Sequence, residues 1–245
     1  MALRPALVNI KALDDALVGR FWAEALGWEV SGGGSGATAA KPVGFDWLDP
    51  VGVCVDVIAV PWPRTSTKNR VHLDLATTSG AHQAELVARL KALGATPVHV
   101  GQGDVPWTVL ADPEGNEFCV LEPREVYRDT GPIARVVVDC AEPRAMARFW
   151  DEAIDWTLHE VTDDRAVWRS AKGVGPYLEF HRTGLKTVPD RVHLDLVPDP
   201  GDDKAAEVAR LRALGATDLD VGQGDVPWTC LTDPEGREFC VLARS

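Results

Sequence analysis

The sequence predicts an α+β fold: four βαβββ units forming two cup-shaped, mostly antiparallel sheets. Three observations lead there. The hexapeptide Arg70-Val71-His72-Leu73-Asp74-Leu75 recurs 121 residues later as Arg191–Leu196. Between Val98 and Leu121, nineteen of twenty-four positions are identical to those from Leu219 to Leu242, so the chain is written twice. Within each copy, strand, helix and three strands follow one another, and then do so again. At 245 residues with 45% apolar content, each copy is long enough to contribute to a real core.

The first copy opens on an apolar strand at Ala6–Lys11. Asp14 is placed to cap a helix that carries Val18, Phe21, Trp22, Ala25 and Leu26 on one face and stops at Gly27. Strands are expected near Trp28–Val30, Val43–Leu48 and Val53–Val60. The second unit repeats the order, with a strand at Val71–Ala76 and a helix near His82–Leu93. Strands near Pro97–Val100, Pro106–Ala111 and Glu117–Leu121 complete it, the last two joined by an Asp112-Pro113-Glu114-Gly115 hairpin turn. Upstream, Phe21-Trp22 and Trp28 match Phe149-Trp150 and Trp156 at a displacement of 128, whereas Trp47 pairs with Trp168 at 121. That pairing assigns the seven-residue difference to the interval between Trp28 and Trp47, where residues 31–38 form a Gly/Ser run. The polar, Pro- and Gly-bearing stretch Glu122–Pro132 marks a boundary, giving domains 1–126 and 127–245. Each copy is expected to curl into a cup with its helices on the convex side, leaving a concave face for a ligand.

Net charge is −12, split as −5 over residues 1–125 and −7 over the remainder. An acidic surface without a Lys/Arg cluster disfavours nucleic acid and anionic membrane as partners. No apolar run approaches the ~20 residues of a membrane span. The N-terminal Met1–Pro5 does not read as a secretory signal. Five cysteines without CxxC spacing suit a reducing cytoplasm.

Three segments carry a resemblance: Phe-Trp-x-x-x-Leu-Gly-Trp at 21–28, the Arg-Val-His-Leu-Asp-Leu strand, and Asp-Pro-Glu-Gly-Asn-Glu-Phe-Cys-Val-Leu at 112–121. Together they resemble the vicinal-oxygen-chelate superfamily in its glyoxalase-like branch, the glyoxalase, bleomycin-resistance and dioxygenase group. The resemblance covers nearly all of each half. It implies metal-dependent lyases, isomerases or dioxygenases on one side and metal-free drug-binding proteins on the other, so whether this chain is an enzyme stays open. Members that chelate a divalent ion use His and Glu from the cup strands. Here the first-strand His is replaced by Leu7 and Arg135. The fourth-strand carboxylate falls on Asp56 and Glu179, and the His opening the second unit is present as His72 and His193. The last carboxylate is replaced by Cys119 and Cys240. With two of four positions lost in both copies, no metal or other cofactor is expected; the alternative is a divalent ion on a depleted set around His193, Glu179 and Cys240.

His72 and Asp74, two apart on a strand, share one face, which places them in the cup beside Cys119. They and their copies His193 and Asp195 are candidates for acid–base work or for anchoring a ligand. Equally, each His is a buried residue bonded to a neighbouring strand, and Asp74 fixes a loop or pairs Arg70. Trp107 and Trp228, following the Gly-Gln-Gly turns, are candidate pocket walls for a planar ligand. Cys119 and Cys240 read either as inert core or as ligand contacts, Glu117 and Glu238 as rim carboxylates or strand partners. Arg135 and Glu179 are expected to make the second cup the more polar one, with Asp56 the corresponding group of the first. The leading expectation is a small-organic-molecule-binding protein, sequestering its ligand or acting on it by acid–base chemistry. It would be a monomer through pairing of its two domains, or a homodimer.

Overall fold

The computed structural model describes residues 3–32, 36–46, 49, 52–184, 188–222 and 224–243. The first copy contains β1 (Leu3–Ala12), α1 (Asp15–Leu26), β2 (Glu29–Gly32), β3 (Ala37–Lys41) and β4 (Cys54–Ala59), then β5 (Val71–Leu75), α2 (Gly80–Ala92), β6 (Thr96–Pro97), β7 (Thr108–Ala111) and β8 (Glu117–Val120). A 3₁₀ turn at Glu125–Tyr127 leads into the second copy. That copy has β9 (Ile133–Cys140), α3 (Pro143–Ala153), β10 (Thr157–Val161), β11 (Arg165–Arg169) and β12 (Tyr177–Arg182), then β13 (Val192–Pro198), α4 (Lys204–Leu214), β14 (Thr217–Asp218), β15 (Thr229–Thr232) and β16 (Glu238–Val241). Four βαβββ units and two eight-stranded cups are therefore present, with antiparallel pairings outnumbering parallel ones in each. Among the described residues no helix is long and apolar enough to cross a membrane.

The cups do not follow the copies. Cup A runs β14-β15-β16-β13-β1-β4-β3-β2, and cup B runs β10-β11-β12-β9-β5-β8-β7-β6, so each takes one unit from each copy. The reason lies in the strand edges. Each unit pairs its first strand in parallel with its last, as β1 with β4 and β13 with β16, which leaves the other edge of the first strand open. That edge needs hydrogen-bond partners. It finds them in the first strand of a unit from the other copy: β1 pairs antiparallel with β13, and β5 with β9.

Helix α1 starts and stops where expected. Asp14 accepts from Leu17 N at 2.8 Å, and Gly27 takes a left-handed φ of 68° to close the last turn. The hairpin turn has a second task. Glu114 accepts from Leu13 N and Asp14 N at the helix start, while Asp112 accepts from Trp22 Nε1 at 3.2 Å. Glu235 and Asp233 repeat this at α3 and Trp150. Trp22 and Trp150 are thus core residues with satisfied indoles. They pack on Phe118 and on Phe180 and Phe239 respectively, between the helices and the convex sheet faces.

Two details of the sequence reading need correction. The third strand is Ala37–Lys41 rather than Val43–Leu48; residues 43 and 44 form a turn, and Trp47 and Leu48 lie outside the described residues. Trp168 does not take the place of Trp47. Ala39 pairs with Asp56 and Val167 with Glu179, so Ala40 and Trp168 are the equivalent positions, 128 apart. The extra residues of copy one sit in the β3–β4 and β4–β5 connections, not before β3. Where copy two fills the site with Trp168, copy one brings α1 closer instead. A Cβ on Gly19 would meet Thr38 Cγ2 at 2.3 Å, and Thr38 Oγ1 donates to Asp15 at 2.7 Å.

Candidate functional site

Alternation along the strands decides which side chains face each concavity. In cup A the inward set is Leu7 and Asn9 on β1, Cys54 and Asp56 on β4, His193 and Asp195 on β13, Cys230 on β15, and Glu238 and Cys240 on β16. His193 and Asp195 are almost fully buried, each 3% exposed. His193 Nε2 lies 3.2 Å from Asp195 Oδ1 and 3.7 Å from Cys240 Sγ, and its Nδ1 lies 3.5 Å from Glu238 Oε1. Cys240 Sγ is 3.4 Å from Cys230 Sγ. Lys11 clamps Glu238 at 2.6 Å, and Asn9 donates to Asp195 Oδ2 at 3.3 Å. Burial lowers the basicity of His193, but Asp195 and Glu238 outweigh it and raise the imidazole above its ordinary value. Asp56 is pushed up to about 6 by burial and by Asp195. Phe45, Trp28 and Leu242 pack against Leu7 and Cys54 in this cup.

Cup B is organised around a guanidinium. Arg135 Nε donates to Asp74 Oδ2 at 2.6 Å and its other arm to Glu179 Oε2 at 2.7 Å. His181 stands 3.3 Å from the second Glu179 oxygen, and His72 3.4 Å from Asp74 Oδ1. Burial alone would raise Glu179, yet the His181 contact and Arg135 hold it at about 2. His72 goes the opposite way to His193. Burial lowers it, and the attraction of Asp74 is opposed by Lys68 and Arg135. Burial, with Asp74 adding to it, pushes the Cys119 thiol well up, so it is no thiolate nucleophile at neutral pH. At the mouth, Tyr127, Tyr177, His159, Arg124, Arg165 and Glu179 help line a cavity of about 320 Å³. The Tyr127 and Tyr177 rings meet edge to face at 6.1 Å, and Arg169 stacks 4.5 Å above Tyr177.

His72, Asp74 and Cys119 come together as expected, as do His193, Asp195 and Cys240. Arg135 and Glu179 do not join the second of these groups. Cross-copy strand pairing carries them to Asp74, so the set His193, Glu179 and Cys240 is not assembled, and the fourth-strand carboxylate sharing a cup with His193 is Asp56, across Asn9. Asp74 pairs Arg135 rather than Arg70, which turns to Asp139. Glu117 and Glu238 are buried ion-pair partners of Arg64 and Lys11. Trp107 is half-buried and Trp228 38% exposed, each just before a strand, and neither lines the cup B cavity. Their turns are tied to the helices by Gln83 donating to Pro106 O and Lys204 to Pro227 O. Sequence reasoning missed Asn9, Lys11, Cys230, Tyr127 and Tyr177. Cys230 had a signal, being one of the five differences between the near-identical stretches, opposite Val109.

Each cup holds a His, Asp and Cys whose ligand atoms lie within 4.8 Å of one another. In cup B the donors do not fit a divalent ion, because the Arg135 guanidinium already occupies the space between the two carboxylates. A divalent ion ~4 Å from it would meet a repulsion of about 8 kcal/mol at an effective dielectric of ~20. In cup A, Leu7 replaces that cation, and no guanidinium stands between the ligand atoms of His193, Asp195 and Cys240 among the described residues. The donors there fit a cation.

A family model described as a glyoxalase-like domain matches residues 8–121 and again residues 135–242. No curated protein matches the sequence. Among solved structures, a Bacillus subtilis subsp. subtilis str. 168 protein provisionally described as a dioxygenase aligns with a TM-score of 0.65 at 13% identity, covering 98% of this chain and 84% of its own. Glyoxalase I from Zea mays aligns with a TM-score of 0.61 at 14% identity, covering 98% and 92%. At such identities the likeness is one of fold.

Proposed function

Because the chain belongs to the glyoxalase-like domain family, its ligand is to be sought in the cups, and we propose that cup B binds a small planar organic molecule without a resident metal. The observation that carries this reading is Arg135, which bridges Asp74 and Glu179 and supplies in-chain the positive charge those carboxylates require. The cavity in front of it offers aromatic faces from Tyr127 and Tyr177 and polar groups at Arg124, Arg165 and Glu179. Sequestration fits better than acid–base turnover. Held at about 2, Glu179 is too weak a base to accept a substrate proton at neutral pH. Both cups close within one chain, which supports a monomer, and five free cysteines support a reducing, cytoplasmic setting.

Calorimetric titration with a panel of phenols and aromatic carboxylates, in the presence of a chelator, tests the reading. At least one class is expected to bind, and Tyr177→Ala is expected to weaken it by about tenfold through loss of ring stacking. Binding that requires an added divalent ion, or that ignores both Tyr177→Ala and Tyr127→Ala, would overturn it.

A further inference from the structure

We propose that the cavity between α1, α2 and the linker joining the two copies binds an aliphatic carboxylic acid through Arg89. The cavity measures about 570 Å³, within the range of small-molecule sites. Its walls come from the end of α1, one face of α2, the end of β5 and residues 123–132. They include none of the cup histidines, aspartates or cysteines, so this is a site apart from both concavities.

The second copy shows what Arg89 lacks. Arg89 donates to Glu24 O and Ala25 O at the end of α1, as Arg210 does to Glu152 O and Ala153 O at the end of α3. Arg210 also binds Glu207, through Nε at 3.0 Å and Nη2 at 2.7 Å, and that carboxylate is fully buried. The residue of α2 that matches Glu207 is Leu86, so Arg89 keeps the placement without the carboxylate. No carboxylate pairs with it among the described residues. Asp155 and Asp199 of the second copy are likewise matched by Gly27 and Thr78, which line the cavity. Three acidic groups are absent from the first copy while the guanidinium is retained. That leaves Arg89 a planar fork for a carboxylate brought from outside.

The remaining walls set the body of that anion. Leu26, Leu75, Leu86, Pro123 and Pro132 present aliphatic surface, which suits a saturated chain. Arg124 and Arg128 also line the cavity, each paired with a glutamate. Arg124 and Tyr127 are shared with the mouth of cup B, whereas Arg89 and Leu86 are not, so the two sites can be tested apart.

Calorimetric titration of the full chain with octanoate, below its micellar concentration, tests the proposal. About one equivalent per chain is expected to bind. Octanol is expected to bind at least about tenfold more weakly, because it brings no charge to Arg89. Leu86→Glu, which installs the residue found in α4, is expected to satisfy Arg89 from within and abolish binding. Arg89→Gln is expected to weaken octanoate by at least about tenfold, and it decides the matter should circular dichroism show Leu86→Glu unfolded. A chain that ignores octanoate, binds octanol as tightly, or keeps its octanoate affinity in Arg89→Gln would overturn the proposal. Affinity that falls in Tyr177→Ala but not in Arg89→Gln would place the ligand in cup B and overturn it as well.

Discussion

Residues 1–126 expressed alone are expected not to form a folded monomer. Cutting there strips β13 from β1 along its length from Leu3 to Ile10, and β9 from β5. Each strand is then left with an unpaired edge, in a chain where net hydrogen-bond gains run at ~1 kcal/mol each against a total stability of ~5–15 kcal/mol. Buried Asp74 also loses its ion-pair partner Arg135. Two outcomes are open to the fragment: it unfolds, or two copies pair β1 of one with β5 of the other and rebuild both cups as a homodimer. Light scattering after size exclusion, with circular dichroism, distinguishes these from a folded monomer, which would contradict the shared sheets.

Arg135→Leu, which installs the residue found at the matching position of cup A, is expected to cost about 3–5 kcal/mol at neutral pH. The cost comes from leaving Asp74 and Glu179 buried without their counter-charge. Its pH dependence has a defined sign. Glu179 is depressed in the fold from 4.5 to about 2, so in the parent protein its contribution is full above about pH 4.5 and is lost as pH falls through about 2. That contribution is on the order of 3 kcal/mol. In the variant, Glu179 stays buried without the opposing charge of Arg135, and protonating it relieves part of the penalty. The difference in urea midpoint between parent and variant should therefore be largest at neutral pH and shrink below about pH 4.5. A constant gap across that range would show that Arg135 contributes packing rather than charge.

Much of this architecture is legible in the sequence because its signals are local. Asp14 and Gly27 announce the ends of α1, and the alternation of His72 and Asp74 against Leu73 and Leu75 tells which of them face the cup. What stays hidden is long-range. Every unit has the same open first-strand edge, so nothing in residues 71–75 tells whether β5 seeks its partner in its own copy or in the other. The fates of Arg135 and Glu179 follow from that choice alone. Tyr127 escapes notice because a polar linker reads as a boundary, although its 3₁₀ turn places the ring against Tyr177. Asn9 and Lys11 alternate with Val8 and Ile10 along β1, but the partners that give them a role, Asp195 and Glu238, come from the other copy and lie beyond any local pattern.

Arg135 is proposed as the cation of cup B in place of a metal. Anomalous scattering from crystals soaked with Mn²⁺ and with Zn²⁺ tests it most directly. No peak is expected between Asp74 and Glu179, with the Arg135 guanidinium in place across both carboxylates. A peak bound by Asp74, Glu179 and His72, with Arg135 swung out of the cup, would contradict it.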